Sequence, residues 1–392
     1  MDTIQSRLLR WSLRAEELLS KRHARRVLLA VLLIVVACIY VLTMHFVTLR
    51  RSIKGATTRT HCINTYVHPA YSADQIATLG DFAPDGHTTI LRIGDEKRTF
   101  ISVGVETKLI RELAQGAPQI QTVFAPSGVF GAYDRDYAGI TSIVQTTDNP
   151  LILYGFYHAE LRSDPYNPTQ YQASIGLASS TDGGLTWERV KKVLGSTRSF
   201  DATRITGVGQ PSAVVSAKGA RSYVYLYYVD WDAGEDAIHM ARAPIGPDGS
   251  IGEFASYANG RFVAPRKNRQ STPVVVPVEH QVYAALPNVA AITNSHELLM
   301  AYEAADGFYV TSSVDGISWR QADKFYCFKE PDHMRRFKGE GEYESYPTLV
   351  NPITQLTDTV DPYRLQLLFG QGRPHHPVMT TVDVGALYGR SE

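Results

Sequence analysis

From Val27 to Met44 the chain runs VLLAVLLIVVACIYVLTM without a charged side chain, and Phe46, Val47 and Leu49 prolong the apolar stretch. A helix rising about 1.5 Å per residue needs about 20 such residues to cross a hydrocarbon core of roughly 30 Å. The pattern predicts one transmembrane helix over residues 27–47. A buried core helix would be shorter and keep a polar face. A cleaved signal peptide would end in a small-x-small site, and Thr43-Met44-His45-Phe46 offers none, so the segment is expected to stay as an uncleaved anchor.

Beyond about residue 75 the pattern changes to short runs rich in Tyr, Val and Ile, broken by Gly, Pro, Asp and Asn: ITSIVQ, LILYGFYHAE, YVYLYYVDW, ELLMAYEA, GFYVTSSV and YRLQLLFG. Apart from a short helical stretch near Lys108–Ala114, no helical period competes with them, which predicts an all-β domain. Ser180-Thr181-Asp182-Gly183-Gly184-Leu185-Thr186-Trp187 recurs, one residue shorter, as Ser313-Val314-Asp315-Gly316-Ile317-Ser318-Trp319. Asp and Gly make a tight hairpin, Ser and Asp side chains bond its backbone, and Trp packs between neighbouring sheets. The two aspartates are therefore read as structural. The separation suits two repeats of roughly 65 residues, above the ~40–50 of familiar propeller repeats.

The expected architecture is a five-bladed β-propeller over residues 76–392, behind a basic leader (1–26), the anchor (27–47) and a stalk (48–75). Its blades are framed as Thr88–Ile110, Ala138–Val190, Gly207–Pro244, Ser271–Ala322 and Tyr343–Val384. A six-bladed propeller and a flattened β-sandwich are the rival architectures.

Charge sets the orientation. Arg7, Arg10, Arg14, Lys21, Arg22, Arg25 and Arg26 precede the apolar stretch, against Arg50, Arg51, Lys54 and Arg59 after it, which places the N-terminus in the cytoplasm. Ile4, Leu8, Trp11, Ala15 and Leu18 would share one face of a helical leader lying on anionic headgroups, or the leader is simply solvated. The whole chain balances 39 basic against 39 acidic residues, so no nucleic-acid partner is expected. Of three cysteines, Cys38 falls in the anchor, and an oxidising compartment would let Cys62 and Cys327 pair. No Asn-x-Ser/Thr acceptor is present, since Asn167 precedes Pro168, which favours a bacterial periplasm or cell exterior for the large domain.

Candidate chemistry lies where inner strands of a propeller begin, because those ends and their loops converge on one mouth of the central channel. In Tyr133-Asp134-Arg135-Asp136-Tyr137, Arg135 could tune Asp136. In Tyr157-His158-Ala159-Glu160, the His and Glu lie two apart on a strand and share a side, and an acid ending an apolar run suits a raised pKa. Gly207-Val208-Gly209-Gln210-Pro211-Ser212 lets backbone approach a ligand closely but lacks the Lys-Ser/Thr of a phosphate loop. Asp230 ends a Tyr-rich strand, and Trp231 beside it could stack on a sugar ring. Glu340, Glu342 and Glu344 alternate before Tyr346. His375 and His376 could rim the same mouth, but no spacing has the form of a metal site. The competing reading is a surface turn at Asp136, a solvated strand end at Glu160, ordinary blade packing at Asp230 and Trp231, and a charged, solvated loop at Glu340–Glu344.

With YDRDYAG, FYHAE, GVGQPSA, YLYYVDW and YESYPTL at successive blades and the two Asp-Gly turns, the sequence resembles the five-bladed propeller glycosidases, a group that includes arabinanases, xylosidases and fructan-cleaving enzymes. The resemblance implies a carbohydrate partner and two-carboxylate hydrolysis, without a cofactor but with a structural calcium left open. It places a base at Asp136, an acid at Glu160 and a tuning carboxylate at Asp230, with Glu342 in reserve. His158, Gln210, Trp231, Arg135 and Tyr346 are the expected substrate-binding residues. The aspartate such enzymes carry in the first blade has Asp81 or Asp85 as its only counterparts here. Two other readings stand beside this one. A non-catalytic glycan- or protein-binding propeller would share the fold. A sialidase would share the arginine motif to which Leu91-Arg92-Ile93-Gly94 is similar, with Gly94 in place of its proline.

Overall fold

The computed structural model describes residues 66–383, apart from 165–169, 219–220, 235, 265–270, 279–280, 333–334, 337–338 and 362. The leader and the apolar segment 27–47 lie outside the described residues. Among the described residues no helix is long and apolar enough to cross a membrane. Cys327 is disulfide-bonded, whereas Cys62, its expected partner, lies outside the described residues.

Antiparallel strands form five blades in chain order. Blade I is β2 (Thr89–Ile93), β3 (Glu96–Val103), β4 (Glu106–Glu112) and β5 (Gln119–Phe124). Blade II is β6 (Tyr137–Val144), β7 (Leu153–Arg162), β8 (Tyr171–Ser180) and β9 (Glu188–Gly195). Blade III is β10 (Thr206–Lys218), β11 (Arg221–Asp230), β12 (Ile238–Pro244), β13 (Ala255–Ala258) and β14 (Arg261–Val263). Blade IV is β15 (Ala285–Ile292), β16 (Leu298–Ala304), β17 (Gly307–Ser313) and β18 (Asp323–Cys327), with β20 (Thr359–Val360) pairing alongside β15. Blade V is β19 (Glu344–Val350), β21 (Arg364–Gln371) and β22 (His376–Asp383). Its outer strand comes from the other end of the domain: β1 (His68–Pro69) pairs with Val378 and Met379.

Burial explains the strand order within a blade. β6, β16 and β17 are buried at every position, because each face of an inner or middle strand meets a neighbouring blade. The outermost strand of blade II is half exposed and carries Arg189, Lys191 and Lys192, which blunt its open edge. Each seam between blades has its own apolar cluster. Phe100 and Leu109 meet Ile140 and Tyr157 between blades I and II, and Phe156 and Leu177 meet Val224 and Leu226 between II and III. Tyr225 and Tyr227 meet Met300 and Tyr302, and Phe308 and Phe325 meet Leu367 and Phe369. The fifth seam, between V and I, is the smallest, with Ile90, Val350 and Leu368 at its buried centre.

One device closes the ring. Apart from the short pairings of β10 with β8 and β15 with β20, an inner strand has no sheet partner on the side away from its second strand, so N–H groups there need another acceptor. A side chain of the preceding blade supplies it each time: Ile140 N donates to Thr107 Oγ1 at 2.8 Å, Ala213 N to Ser142 Oγ at 2.9 Å and Val289 N to Ser212 Oγ at 2.9 Å. Leu349 N donates to Asn288 Oδ1 at 2.8 Å, and Thr88 N returns to Thr348 Oγ1 at 3.0 Å. Thr88, Thr141, Ser142, Ser212 and Asn288 also line an axial cavity of about 230 Å³.

Several elements differ from expectation. Lys108 lies within β4 and belongs to no helix; the described helix with full caps is α1 (Ala73–Leu79), opened by a Ser72–Gln75 capping box. β1 and the start of α1 fall in the segment expected to be stalk. Blade IV begins at Ala285 instead of Ser271, because residues 271–278 first run beside blade III, where Val274 N donates to Ile238 O at 2.8 Å. Blades II and III are joined by a short parallel pairing of Gly207 with Ala173. Gly207 has φ 86°, and a Cβ there would lie 2.1 Å from the Ala173 carbonyl oxygen, so the position requires glycine.

The two repeated turns close as their residues dictate. Asp182 Oδ1 accepts from Leu185 N at 2.9 Å and Thr186 N at 3.0 Å, and Asp315 Oδ1 accepts from Ile317 N at 2.8 Å and Ser318 N at 2.7 Å. Trp187 lies edge-on to Phe100 of blade I, and Trp319 edge-on to Tyr227 of blade III. Ser180 pairs with Leu153 and Ala173 with Glu160, so the first turn lies at the opposite end of its blade from Glu160.

Candidate active site

Strand register gathers one rank of polar groups at a single end of the channel. Tyr137, Ala285 and Glu344 open their inner strands and Val208 is the first residue of β10 to pair with β11; opposite these four stand Glu160, Asp230, Glu303 and Gln371, towards the ends of the second strands. Just inside, the triplets Gln210-Pro211-Ser212, Leu286-Pro287-Asn288 and Tyr346-Pro347-Thr348 repeat. Each spans a break in register, and its first residue is left-handed, with φ of 55°, 51° and 63°. Pro fixes φ at the second position, and the third side chain makes the inter-blade hydrogen bond described above.

Asp85 stands at the centre of this mouth, on the segment that enters blade I. Tyr346 of blade V donates to its Oδ1 at 2.9 Å, and Tyr137 of blade II donates to its backbone carbonyl at 2.5 Å. Burial pushes the Asp85 carboxyl up to about 7; the negative charge of Glu160 adds to this, while the Tyr346 hydroxyl, His158 and Arg162 work against it.

Glu160 forms one wall. Its Oε2 accepts from Arg162 Nε at 2.6 Å and its Oε1 lies 3.2 Å from His158 Nε2. The His158 ring packs edge-on between Tyr137, Tyr171 and Trp231, with centroids 5.4, 6.0 and 6.2 Å away. Gly209 makes room for it, since a Cβ there would lie 2.4 Å from His158 Nδ1.

Glu303 forms the opposite wall. It accepts from Ser345 Oγ at 2.6 Å and from Tyr283 OH at 2.8 Å, and burial raises its pKa against those hydrogen bonds and the positive charge of Arg336. Arg336 is itself buried, and its guanidinium lies 3.4 Å from Tyr283 OH. Tyr343, Tyr346 and Phe82 surround His375, which burial lowers to about 4 and so keeps neutral.

Of the residues singled out in the sequence, the structure brings His158, Glu160, Gln210, Trp231 and Tyr346 together around this mouth. Arg135 and Asp136 sit at its edge. They pair with each other at 2.8 Å, and Asp136 also accepts from Arg162 N at 2.7 Å; although burial opposes it, these bonds hold the Asp136 carboxyl below its ordinary value. Asp230 is buried at the end of β11, where it accepts from Ser271 Oγ at 2.9 Å and from Asp232 N at 3.1 Å. Glu342 is ion-paired with Lys329 at 2.7 Å on the loop before blade V. Glu344, in contrast, is fully buried against Tyr326 OH and Gln371.

Asp85, Tyr137, Arg162, Tyr171 and Glu303 complete the site. Glu303 was detectable in the sequence: LLMAYE is an apolar run ending in a carboxylate, as LILYGFYHAE and YVYLYYVD are. Among the described residues no group of three or more His, Cys, Asp or Glu side chains is arranged to hold a metal ion.

No family model matches the chain, and no curated protein matches it in sequence. Solved structures with a similar course include the catalytic domain of a family 62 α-L-arabinofuranosidase from Coprinopsis cinerea. It is 12% identical, with a TM-score of 0.44, over 81% of this chain and 95% of that one. An endo-arabinase from Bacteroides thetaiotaomicron is 11% identical, with a TM-score of 0.42, over 75% and 93%. An exo-β-1,3-galactanase from Phanerochaete chrysosporium, determined with β-1,3-galactotriose, is 10% identical, with a TM-score of 0.45, over 77% and 61%.

Proposed function

We propose that the chain hydrolyses glycosidic bonds at this channel mouth, with Asp85 as general acid and Glu160 as the second carboxylate. The reading rests on one observation: Asp85, lifted to about 7, stands beside an ion-paired Glu160 whose charge acts on it. Two neighbouring carboxyl groups in unlike surroundings, one holding its proton and one paired with a cation, are what such hydrolysis requires. Asp85 delivers its proton to the leaving oxygen as the C–O bond breaks. Glu160 takes a proton from water, or attacks the anomeric carbon directly, and the configuration of the first-formed sugar separates the two routes. Tyr171 and Trp231 supply apolar faces for a sugar ring, and Glu303 stabilises positive charge that develops there. The roles differ from those the sequence suggested. In this reading Glu160 is the second carboxylate and not the acid, and no proton transfer is assigned to Asp136, which pairs with Arg135, to Asp230, which accepts from Ser271, or to Glu342, which pairs with Lys329.

The reading keeps the tether expected of residues 27–47, with the propeller outside the cytoplasm; protease added to intact cells should digest the propeller and spare residues 1–26. The chemistry is tested by release of reducing sugar from a panel of polysaccharides by the full-length chain in detergent. Asp85→Asn and Glu160→Gln should each lower turnover by about 10²–10⁴-fold, the usual worth of a positioned proton donor or acceptor, while Asp136→Asn keeps most of it. Glycan binding that survives both substitutions, without turnover by the parent protein, would leave a binding propeller and remove the hydrolase.

A further inference from the structure

Three left-handed, non-glycine residues at one level of the channel ask for an explanation. Such backbone is uncommon outside glycine and persists only where the surroundings enforce it. Tyr346 has a clear role, since its hydroxyl reaches Asp85. Gln210 and Leu286 occupy the same level in blades III and IV, next to each other in the ring, because Ser212 two residues after Gln210 bonds Val289 of blade IV. Leu286 belongs to none of the apolar clusters between blades and is only partly buried, at the level of a mouth whose other residues are mostly polar. An apolar side chain held there at conformational cost does not serve the core. Gln210 is 8% exposed, and its buried Oε1 has no hydrogen-bond partner. A buried amide oxygen of that kind is expected to receive a donor from whatever fills the site.

We propose that Gln210 and Leu286 form a specificity subsite for a 6-deoxy sugar, Gln210 accepting a ring hydroxyl and Leu286 packing against the C6 methyl group. The inference rests on the channel mouth being a sugar site, but not on its being catalytic. Each of the three common C5 substituents fares differently against Leu286. A methyl group is buried there with profit. A pentose leaves the leucine unfilled. A hydroxymethyl group brings a hydroxyl to a surface that offers it no hydrogen bond, the more costly mismatch. The subsite should therefore rank 6-deoxyhexose above pentose, and pentose above hexose.

Matched methyl glycosides isolate that substituent. β-D-Fucoside, α-L-arabinopyranoside and β-D-galactoside share one ring configuration; β-D-quinovoside, β-D-xyloside and β-D-glucoside share another; α-L-rhamnoside, α-L-lyxopyranoside and α-L-mannoside form a third. Equilibrium binding to the full-length chain in detergent is measured for all nine by calorimetry. In at least one series the deoxy sugar should bind about 10-fold or more tightly than its hydroxymethyl counterpart, the lower end of what one such group is worth. Leu286→Asn, whose side chain tolerates left-handed backbone, should erase that preference while still binding. Leu286→Gly, which adopts this backbone freely, guards against a folding defect and should erase it too. Gln210→Leu should weaken all members of the series alike.

A preference that survives in both Leu286 variants, or no deoxy preference in any series, or no binding at all, overturns the proposal. Deoxy-selective binding without hydrolysis of any glycan keeps the subsite and removes the hydrolase.

Discussion

Asp85 is a carboxyl group raised from its ordinary value of 3.8 to about 7, and such a shift has a sign in stability as well as in chemistry. The folded protein binds this proton more tightly than the unfolded chain does. Folding is therefore unhindered below the unfolded value, and becomes progressively less favourable as pH climbs from about 4 through 7, where the buried charge must form. At about 1.4 kcal/mol per unit the cost reaches several kcal/mol in order of magnitude above pH 7. Asp85→Asn should accordingly raise the melting temperature at pH 8 by several degrees and at pH 4 hardly at all, while lowering turnover by the factor given above. An increment that does not depend on pH would show that the Asp85 carboxyl is not held out of water. Tyr346→Phe removes a bond to the charged form, so the Asp85 midpoint should move above 7 and the pH–rate profile should move with it. A profile that stays in place would deny Tyr346 that role.

At the scale of elements, the bond that matters is the one from each inner strand to the side chain of the preceding blade. Removing an acceptor leaves a buried N–H unpaired, which costs about 1–3 kcal/mol. Asn288→Ala and Ser212→Ala should each destabilise the domain by that amount in urea unfolding, and each should loosen the mouth two residues away. If either is as mild as a surface substitution, the ring is held by apolar seams alone. These bolts also show which parts of the fold were legible in the sequence. Strand runs such as LILYGFYHAE and ITSIVQ announce themselves by composition, and the Asp-Gly turns by local chemistry, so five blades could be framed from them. Pairings across the ring left no such mark. Nothing in GVGQPSA shows that Ser212 serves blade IV, and the kinship of Gln210-Pro211-Ser212, Leu286-Pro287-Asn288 and Tyr346-Pro347-Thr348 is carried mainly by a proline. Asp85 stayed ambiguous for a related reason. It precedes its strand in a segment ordered by contacts to blades II and V, more than 50 and 250 residues away in sequence. Asp136 and Glu160 were equally prominent as sequence. Both carry an arginine partner, so the difference lies in placement: Glu160 lies within β7, where its charge acts on Asp85, whereas Asp136 precedes β6 at the edge of the mouth.

At the scale of the whole molecule, a closed ring is only as firm as its weakest seam, and that seam passes through the site. Between blades V and I the buried cluster is small, and two extra pieces brace it: β1, added to blade V, and α1, whose Leu79 packs on Ile101 and Ile110 of blade I. Lys108 of β4 ties down the helix end, its Nζ donating to the Leu79 carbonyl at 2.8 Å. Tyr71 lies between the two pieces and packs against both clusters. The Asp85–Tyr346 bond crosses this same seam, so a substitution remote from the mouth should be felt there. Tyr71→Ala is expected to cost about 2–4 kcal/mol, as for other large-to-small changes at packed aromatic positions. Its effect on Asp85 should run opposite to that of Tyr346→Phe. Opening the seam admits water, and because burial is the largest influence on this carboxyl, its midpoint should fall from about 7 towards the ordinary range even though the tyrosine bond is weakened as well. The midpoint can be followed by the pH dependence of stability relative to Asp85→Asn made in each background. Midpoints that move apart would establish that ring closure sets the proton affinity of the site. If both variants shift upward, the tyrosine hydrogen bond outweighs desolvation at Asp85, and burial is not what governs its proton.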